Sequence, residues 1–167
     1  MITIRKVTKD DGERERLFLL EFPAEENGFE RPGKGFNLED PAEFARFIQD
    51  RIDQEQGVGL KEGYVPQSTF WILNNDKLVG VGKVRHYLNA NLLKHGGHVG
   101  ISISPASRGE GVGTEALRLL VEYAKSLGQS PILVTNDEDN LASRKMTEKC
   151  GGILDKIENG SSYYWIV

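Results

Sequence analysis

Residues 99–114 constrain the fold and the chemistry of this chain more than any other stretch. They read VGISISPASRGEGVGT, an alternating segment that stops at Pro105 and continues as a glycine-spaced loop. Glycines at positions 109, 111 and 113 leave backbone N–H groups unobstructed, and the amphipathic helix that follows adds the positive end of its dipole. The stretch therefore predicts a strand, a phosphate-binding loop and a helix.

Length and charge limit the possible classes of protein. With 167 residues the chain is long enough for a sizeable core, and we expect a single domain over residues 1–167. A formal charge of −4 lacks the basic field of nucleic-acid binders, and one cysteine excludes an internal disulfide framework. Neither a signal peptide nor roughly 20 consecutive apolar residues is present. We therefore expect a cytoplasmic protein that binds no nucleic acid, membrane or metal.

Hydrophobic periodicity predicts the order of the secondary structure. Strands are predicted over residues 2–7, 69–73, 78–85, 99–104, 131–135, 153–157 and 163–167. Helices are predicted over residues 10–22, 39–56, 111–127 and 139–150, with loops over 23–37 and 86–97. The order predicts a mixed α/β fold of the α+β type. In it about four helices flank one twisted, mostly antiparallel sheet of about six or seven strands.

Two common phosphate-binding motifs do not fit this loop. A P-loop ends in Gly-Lys-Ser or Gly-Lys-Thr, whereas Gly113 is followed directly by Thr114. A dinucleotide-binding fold places its glycines in the first βα turn of a parallel sheet. Here the glycines follow at least three strands that are predicted to be antiparallel. A helix-start turn without a ligand is the remaining alternative for the glycines alone.

Two blocks of the sequence resemble a known family. Arg108-x-x-Gly111-x-Gly113 after a strand resembles the acyl-CoA-binding motif of the GNAT superfamily of N-acetyltransferases. Asn140 begins a predicted helix that stops at Gly151-Gly152, which is similar to the second block of that family. The resemblance extends over about residues 65–167, and the first 60 residues are similar only in element order. Further residues resemble a subgroup of bacterial predicted acetyltransferases: Glu21-Phe22, Val65-Pro66, Phe70-Trp71, Arg85-His86, Leu88-Asn89, Gly96-Gly97-His98 and Tyr164-Trp165-Ile166.

The resemblance implies acetyl-CoA as co-substrate and a GNAT-like sheet in which two neighbouring strands splay apart. The strand backbone at Ile101, Ser102 and Ile103 would pair with the pantetheine arm. Asn140 and Ser143 would bond the same arm or position the thioester. The pyrophosphate would lie at the loop formed by Arg108, Gly109, Glu110, Gly111, Val112, Gly113 and Thr114.

The catalytic groups are less fully specified by the pattern. Amine acetylation needs a neutral nitrogen, so a general base or a chain of waters is expected near the thioester. By resemblance, His98 occupies the position of the family's usual carboxylate, and His86 is the second candidate. Either histidine is alternatively a strand-end residue bonded to backbone. Asn140 completes the candidate catalytic set, and N–H groups near Ile101 would stabilise the oxyanion.

One position departs from the family pattern. The usual general acid is a tyrosine seven residues after the motif asparagine, and that position here is Thr147. A threonine hydroxyl is a poor proton donor to a departing thiolate. Another group, a water or the solvent would have to supply the proton. Cys150, close by in the sequence, is interpreted as a free cysteine without a nucleophilic role.

The acceptor site is expected between the loops at 23–37 and 86–97. Acidic residues near the first helix are either a solvated face or a means of recognising a cationic amine. These are Glu13, Glu15, Glu21, Glu25, Glu26 and Glu30. Trp71 and Trp165, on apolar strands, are predicted to lie in the core.

The sequence thus predicts an acetyl-CoA-dependent N-acetyltransferase that acts on an amine of a small molecule or peptide by direct attack. A non-catalytic domain that binds or senses acetyl-CoA is the alternative, because the tyrosine is missing. An interaction module with a vestigial site is a third. The segment from Tyr163 to Val167 is a candidate sheet edge, which would allow a homodimer.

Overall fold

The computed structural model describes residues 1–23, 25–26 and 29–167, with the backbone alone at residues 25, 26, 29 and 30. The strands are β1 (Ile2–Lys6), β2 (Glu25–Glu26), β3 (Phe29–Glu30), β4 (Gln67–Asn74), β5 (Lys77–Arg85), β6 (Val99–Ile103), β7 (Ile132–Asp137), β8 (Ile153–Glu158) and β9 (Ser161–Ile166). The helices are α1 (Glu13–Leu20), α2 (Pro41–Gln56), α3 (Ala90–Lys94), α4 (Val112–Ser126) and α5 (Leu141–Lys149). A 3-10 turn covers Pro105–Ser107.

The main strands form two antiparallel sheets instead of the single sheet that the sequence predicts. One sheet has the order β1-β4-β5-β6 and the other β7-β9-β8, while β2 pairs with β3 in a separate short hairpin. The mixed α/β class with seven main strands is as predicted. Because β9 lies between β7 and β8, the predicted edge at Tyr163–Val167 is wrong, and β7 and β8 are the edge strands of this sheet.

Two tight turns fix the registers of the hairpins. Asn75 and Asp76 join β4 to β5 with φ angles of 48° and 70°. Asn159 and Gly160 join β8 to β9 with φ angles of 50° and 80°. Two consecutive residues in the left-handed region form the turn whose twist matches that of antiparallel strands, and asparagine, aspartate and glycine tolerate it best. Both hairpins are therefore where the sequence predicts them.

The first sheet packs helices on both of its faces. Trp71 of β4 lies with Phe18, Phe47 and other residues of α1 and α2 in one core cluster. On the opposite face, Phe70 packs with Leu120 and its neighbours on α4. A Cβ at Gly82 would lie 2.6 Å from Leu120, so the absence of a side chain lets α4 approach the sheet. The alternation along β4 thus divides the core into two layers.

Helix ends follow the predicted capping chemistry at most positions. Asp40 caps α2 by accepting a hydrogen bond from the Ala42 N–H at 2.9 Å, and Gly57 ends the helix in the left-handed conformation. Asn140 is the residue that caps α5, through a 3.2 Å bond from the Ser143 N–H. None of the helices in the described ranges is long and apolar enough to cross a bilayer.

Two local predictions are corrected. The first helix begins at Glu13 instead of Asp10, because the neighbouring Asp11 bonds the Trp71 indole and Arg5, both at 2.7 Å. The predicted loop at 86–97 contains the short helix α3, which Asn89 caps through a 2.9 Å bond from the Leu92 N–H. A five-residue helix is too short to produce a periodic apolar stripe, so the sequence pattern does not reveal it.

The contact between α4 and the first sheet predicts a large difference between two leucines. Leu120 is completely buried, and Leu120→Ala is expected to lower the free energy of unfolding by about 2–5 kcal/mol through the cavity it leaves. Leu141, at the start of α5, is 61% exposed, and Leu141→Ala is expected to stay within about 0.5 kcal/mol of the original chain. Urea unfolding measures both. Equal losses would contradict this packing.

Candidate functional site

The site lies where the two sheets part. His98 donates its backbone N–H to the Leu133 carbonyl at 2.8 Å, and the Leu133 N–H donates to His98 Nδ1 at 2.9 Å. Beyond this junction β6 and β7 belong to different sheets. A Cβ on Gly97 would lie 2.5 Å from the Leu133 carbonyl oxygen, so glycine permits the close approach of the two segments. The gap that opens between the strands holds two adjoining cavities.

Strand β6 directs polar backbone groups into this gap. Arg85 N–H donates to His98 O and Ser104 N–H donates to Val79 O, so even-numbered residues of this segment form the bonded pairs with β5. In an antiparallel ladder the intervening residues point their N–H and C=O groups to the other side. Ile101 and Ile103 therefore present backbone groups to the gap. The Ile103 carbonyl accepts a 3.0 Å hydrogen bond from Arg108 Nε on this side of the strand.

The glycine loop combines two different structural requirements. Gly109 and Gly111 have φ angles of 83° and 77°, and Gly111 stands at the N-terminus of α4 without a side-chain cap. Gly113 lies inside the helix, where a Cβ would come within 2.7 Å of Met146 Sδ on α5. The first two glycines thus turn the backbone, and the third lets α5 pack closely against α4. The loop leaves the first N–H groups of α4 to the adjacent cavity.

The first cavity, here called the loop cavity, has a volume of about 480 Å³. It brings together every predicted cofactor-binding residue except Glu110, which is exposed, and Val112, whose side chain packs in the core. Its lining includes Ile101, Ser102, Ile103, Ser107, Arg108, Gly109, Gly111, Gly113, Thr114, Asn140, Ser143 and Met146.

Cations that the sequence analysis missed also line the loop cavity. Arg31, Lys145 and Lys149 join Arg108 there, and no acidic side chain is found among the described residues that line it. Lys145 and Lys149 are four residues apart on α5 and so lie on one helix face. Two lysines at this spacing, on either side of Met146 in the sequence, are a signal from which a cationic helix face could have been predicted. The arrangement suits a ligand with several negative charges.

The second cavity, here called the sheet cavity, has a volume of about 420 Å³ and shares Ile101 and Ser102 with the first. It lies on the face of the first sheet that α2 covers, and β7 closes its far side. Pro32, His95 and Gly96 come from the two loops that were expected to line an acceptor site. The remaining lining residues include Phe47, Arg51, Gln67, Thr69, Val81, Lys83, Arg85, Thr135, Asn136, Asp137 and Ser161.

His98, the first candidate base, lies in the junction and not in either cavity of the described structure. It is 2% exposed, its Nδ1 accepts the Leu133 N–H, and its Nε2 is 3.2 Å from Gln129 Oε1. These partners assign the proton to Nε2, which leaves no free lone pair. Burial lowers the pKa of the imidazole, so it stays neutral near pH 7. The geometry gives His98 a structural function and no path to a substrate nitrogen.

His86, the second candidate, points toward the α4 side of the first sheet. Its Nε2 lies 2.8 Å from Ser68 Oγ, which is in turn 3.2 Å from the Tyr123 hydroxyl. Burial lowers the pKa of this histidine too. It belongs to a polar cluster behind the sheet and lines neither cavity in the described part of the chain.

Asn140, Ser143 and Thr147 form one hydrogen-bonded unit at the start of α5. Ser143 Oγ bonds Asn136 Oδ1, and Asn136 Nδ2 donates to Thr147 Oγ1 at 3.3 Å. Thr147 itself is completely buried and donates to the Ser143 carbonyl at 3.0 Å. Its hydroxyl is therefore occupied in holding β7 and α5 together. Asn140 and Ser143, in contrast, line the loop cavity.

Other residues singled out in the sequence lie away from both cavities. Glu13 pairs with Arg16, and Glu15 accepts the Gly12 N–H at 3.3 Å, so neither faces a ligand. The side chains of Glu25, Glu26 and Glu30 lie outside the described residues. Burial raises the pKa of the Cys150 thiol, which donates to the Thr114 carbonyl and is unsuited to nucleophilic attack. Trp71 is buried as predicted, whereas Trp165 is half-buried and bonds Asp155 at 3.2 Å.

The family assignment follows from a match over most of the sequence. The family model described as "Acetyltransferase (GNAT) domain" matches residues 2–153. The chain belongs to the GNAT acetyltransferase family. The match confirms the family and the acetyltransferase class predicted from the two motif blocks. It also includes the first 60 residues of this GNAT domain, where the resemblance was confined to element order. No curated protein matches the sequence at a significant level.

Solved structures with the same fold are distant in sequence from this GNAT domain. PseH of Campylobacter jejuni in complex with acetyl coenzyme A has a TM-score of 0.64 at 12% identity, covering 99% of this chain and 98% of that one. RimL, a ribosomal L7/L12 alpha-N-protein acetyltransferase in complex with coenzyme A, scores 0.68 at 15% identity, covering 99% and 93%. The microcin C7 self-immunity acetyltransferase MccE, in complex with acetyl-CoA and AMP, scores 0.65 at 19% identity, covering 99% and 92%. At these identities the likeness establishes the fold.

The neutral, buried state of His98 predicts how stability depends on pH. Burial lowers the His98 pKa below its ordinary 6.5, so below about pH 6.5 the unfolded chain binds more protons than the folded one. Stability is therefore expected to fall as the pH drops from 7.5 to 5.5. His98→Asn, which keeps an oxygen that can accept the Leu133 N–H, should reduce this slope. Urea unfolding at both pH values measures it, and an unchanged slope in the variant would contradict the assignment.

Proposed function

We propose that this GNAT domain transfers the acetyl group of acetyl-CoA to a primary amine by direct attack of the nitrogen on the thioester. The observation that carries the proposal is the meeting of two cavities at Ile101 and Ser102. One cavity has the cationic, glycine-rich lining that a pyrophosphate requires, and the other opens to the same strand from the opposite side. Two substrates bound in them would meet in the gap between β6 and β7.

The loop cavity fits acetyl-CoA by its own chemistry. N–H groups at the start of α4 and the cations Arg31, Arg108, Lys145 and Lys149 would hold the phosphate groups. Backbone groups of Ile101 and Ile103 would pair with the amides of the pantetheine arm, as an added strand does at a sheet edge. The acetyl coenzyme A bound in PseH and MccE, which share this fold, supports the same choice of ligand.

The reacting carbonyl would lie beside the shared residues. The Ile101 N–H points into the gap and can donate to the oxygen of the tetrahedral intermediate. Because β5 and β6 hold this N–H in a paired strand, it needs little reorientation when the charge develops. Asn140, held by its capping bond to Ser143, would position the thioester from the other side.

The proton acceptor is best assigned to Asp137, a residue that sequence reasoning missed. Among the described residues that line the sheet cavity, its carboxylate is the one acidic side chain. It stands at the end of β7, directly after Asn136 of the Ser143 network. Asp137 can take the proton from the amine directly or through a water. Its position in the chain, just before the motif asparagine block, offered no separate signal.

The reaction could proceed without the family's usual tyrosine, because the proton that the nitrogen loses is the proton that the thiolate needs. When the nitrogen bonds to the carbonyl carbon and the carbon–sulfur bond breaks, the nitrogen gives up one proton and the thiolate takes up one. Asp137 or a water could carry that proton between them. Thr147, with its hydroxyl bonded on both sides, would have no part in the transfer. The alternative, a non-catalytic acetyl-CoA-binding domain, predicts binding without transfer to any amine.

A charge placed in the glycine loop tests the cofactor site. Gly111→Glu would bring a carboxylate to the start of α4, and binding of acetyl-CoA is expected to be lost. Gly128→Glu is the matched control because Gly128 follows α4, also has a positive φ of 87°, and has open space around its Cβ position. Both variants carry the same backbone strain. Calorimetric titration with acetyl-CoA distinguishes them, and unchanged affinity in a folded Gly111→Glu chain would refute the site.

A second pair of variants tests the proton acceptor. Asp137→Asn is expected to lower kcat for an amine acceptor by about 10²-fold or more while the Kd of acetyl-CoA stays the same. Asp139→Asn, two residues further along the chain in the turn after β7, removes another exposed carboxylate, which lines neither cavity. It should keep the original rate. Equal kcat values for the two variants would exclude Asp137 as the proton acceptor.

A further inference from the structure

The sheet cavity has an unusual charge for a site that receives an amine. Among the described residues that line it, Arg51 and Arg85 contribute two guanidinium groups and Asp137 contributes the one carboxylate, although the chain as a whole has a formal charge of −4. An amine is cationic before it reacts, so a simple alkylamine or polyamine would be repelled by this lining. The local excess of positive charge therefore points to a negative group on the substrate.

Arg85 is a half-buried cation that two backbone carbonyl groups hold in place. Its Nη1 donates to the carbonyl oxygens of Gly96 and Gly97 at 2.9 and 3.1 Å, which fixes the guanidinium at the wall of the cavity. Burial lowers the pKa of Arg85, yet an arginine remains charged near neutral pH. No salt bridge to an acidic residue is formed by Arg85 within the described ranges. Its other N–H groups remain suited to a bidentate oxygen ligand.

Arg51 is held from the opposite wall. Its guanidinium carbon lies 4.6 Å from the centre of the Phe47 ring, and its side chain is only 19% exposed. Its acidic partner within the described part of the chain, Asp50, is 45% exposed, so solvent weakens that pair. The stacking restricts the side chain of Arg51 and so lowers the entropy lost when it binds a ligand.

A buried hydroxyl without a partner adds an independent observation. Thr69 is 7% exposed and lines the cavity, yet its Oγ1 has no hydrogen-bond partner in the described structure. The strand register places Thr69 directly opposite Lys83, on the same face of the sheet as Arg85. A buried hydroxyl that is left unbonded is unfavourable, and an oxygen of a bound ligand would satisfy it.

We infer that the acceptor is an amine carrying an anionic oxygen group, a carboxylate or a phosphate, bound between Arg51 and Arg85. The inference rests on the proposed function, since it names the substrate class of the same site. Arg85 is three residues along β5 from Gly82, the partner of Ile101, which is about 10 Å along the strand. The amine would lie near Asp137 and Ile101, and the anionic group toward the arginines. A compact molecule with an amine at one end and an anionic group at the other would reach both positions.

A panel of matched amines tests this substrate class with the intact protein. The acceptors are the amino acids glycine, β-alanine and γ-aminobutyrate, the amide of each, phosphoethanolamine with ethanolamine as its partner without the phosphate, and the diamine putrescine. Release of free CoA thiol gives the rate, and calorimetry gives acetyl-CoA binding separately. We expect kcat/KM for at least one acceptor with an anionic group to exceed that of its partner without that group by about 10- to 100-fold. The amino acid and phosphate arms show which anion is preferred.

Variants on α2 and β5 connect the preference to the arginines. Arg51→Gln and Arg85→Lys are expected to raise KM for the preferred anionic acceptor by about 10-fold or more, with kcat much less affected and no change for the partner that lacks the anionic group. Arg46→Gln is the matched control, because Arg46 lies on the same helix, is 72% exposed and pairs with Glu43 away from the cavity. Circular dichroism confirms that each variant is folded.

The outcomes separate the two proposals. Transfer to neutral or cationic amines with the same efficiency as to their anionic partners would overturn this inference and leave the N-acetyltransferase proposal intact. Binding of acetyl-CoA without transfer to any member of the panel would count against both. An anionic preference that Arg51→Gln and Arg85→Lys leave unchanged would also overturn the assignment of these arginines.

Discussion

The site depends on the contact between His98 and Leu133. Two hydrogen bonds there join the sheets at one end, and the strands that continue from it part instead of pairing. Parting strands leave backbone N–H and C=O groups unpaired, which is unfavourable unless water or a ligand satisfies them. In this GNAT domain the unpaired groups of β6 face the loop cavity, whose volume of about 480 Å³ is in the range of small-molecule sites. The buried His98 thus holds the two sheets together at the point where the gap begins.

The two cavities divide the positive charge of an otherwise acidic chain. Lysines on α5 and the arginines at positions 31 and 108 surround the loop cavity, and Arg51, Lys83 and Arg85 surround the sheet cavity. Both sets face a shared stretch of β6 that has no charged side chain. Positive charge therefore lies at both ends of the gap, and backbone N–H donors lie at its centre.

Much of the fold could be predicted from local patterns. The hairpin turns, the caps Asp40 and Asn140, and the buried stripe of α4 are short-range features, because the residues that stabilise them are neighbours in the chain. The glycine motif was located for the same reason. The prediction failed where a contact distant in sequence overrode a local preference. For example, the Asp11 carboxylate accepts hydrogen bonds from Arg5 and Trp71, and α1 therefore begins later than its sequence pattern suggests.

The sequence by itself determined that this chain has a glycine loop at the start of a helix and belongs with proteins that show the same two motif blocks. Only the tertiary structure decided which side chains line the two cavities. Arg51, Thr69, Arg85 and Asp137 come from four separate elements and share no spacing that a pattern could register. Likewise, only packing distinguishes a buried histidine at a sheet junction from one that faces a ligand. The reason is that the glycine loop is a backbone geometry encoded by adjacent residues, whereas the lining of the sheet cavity consists of side chains that the fold brings together from across the chain.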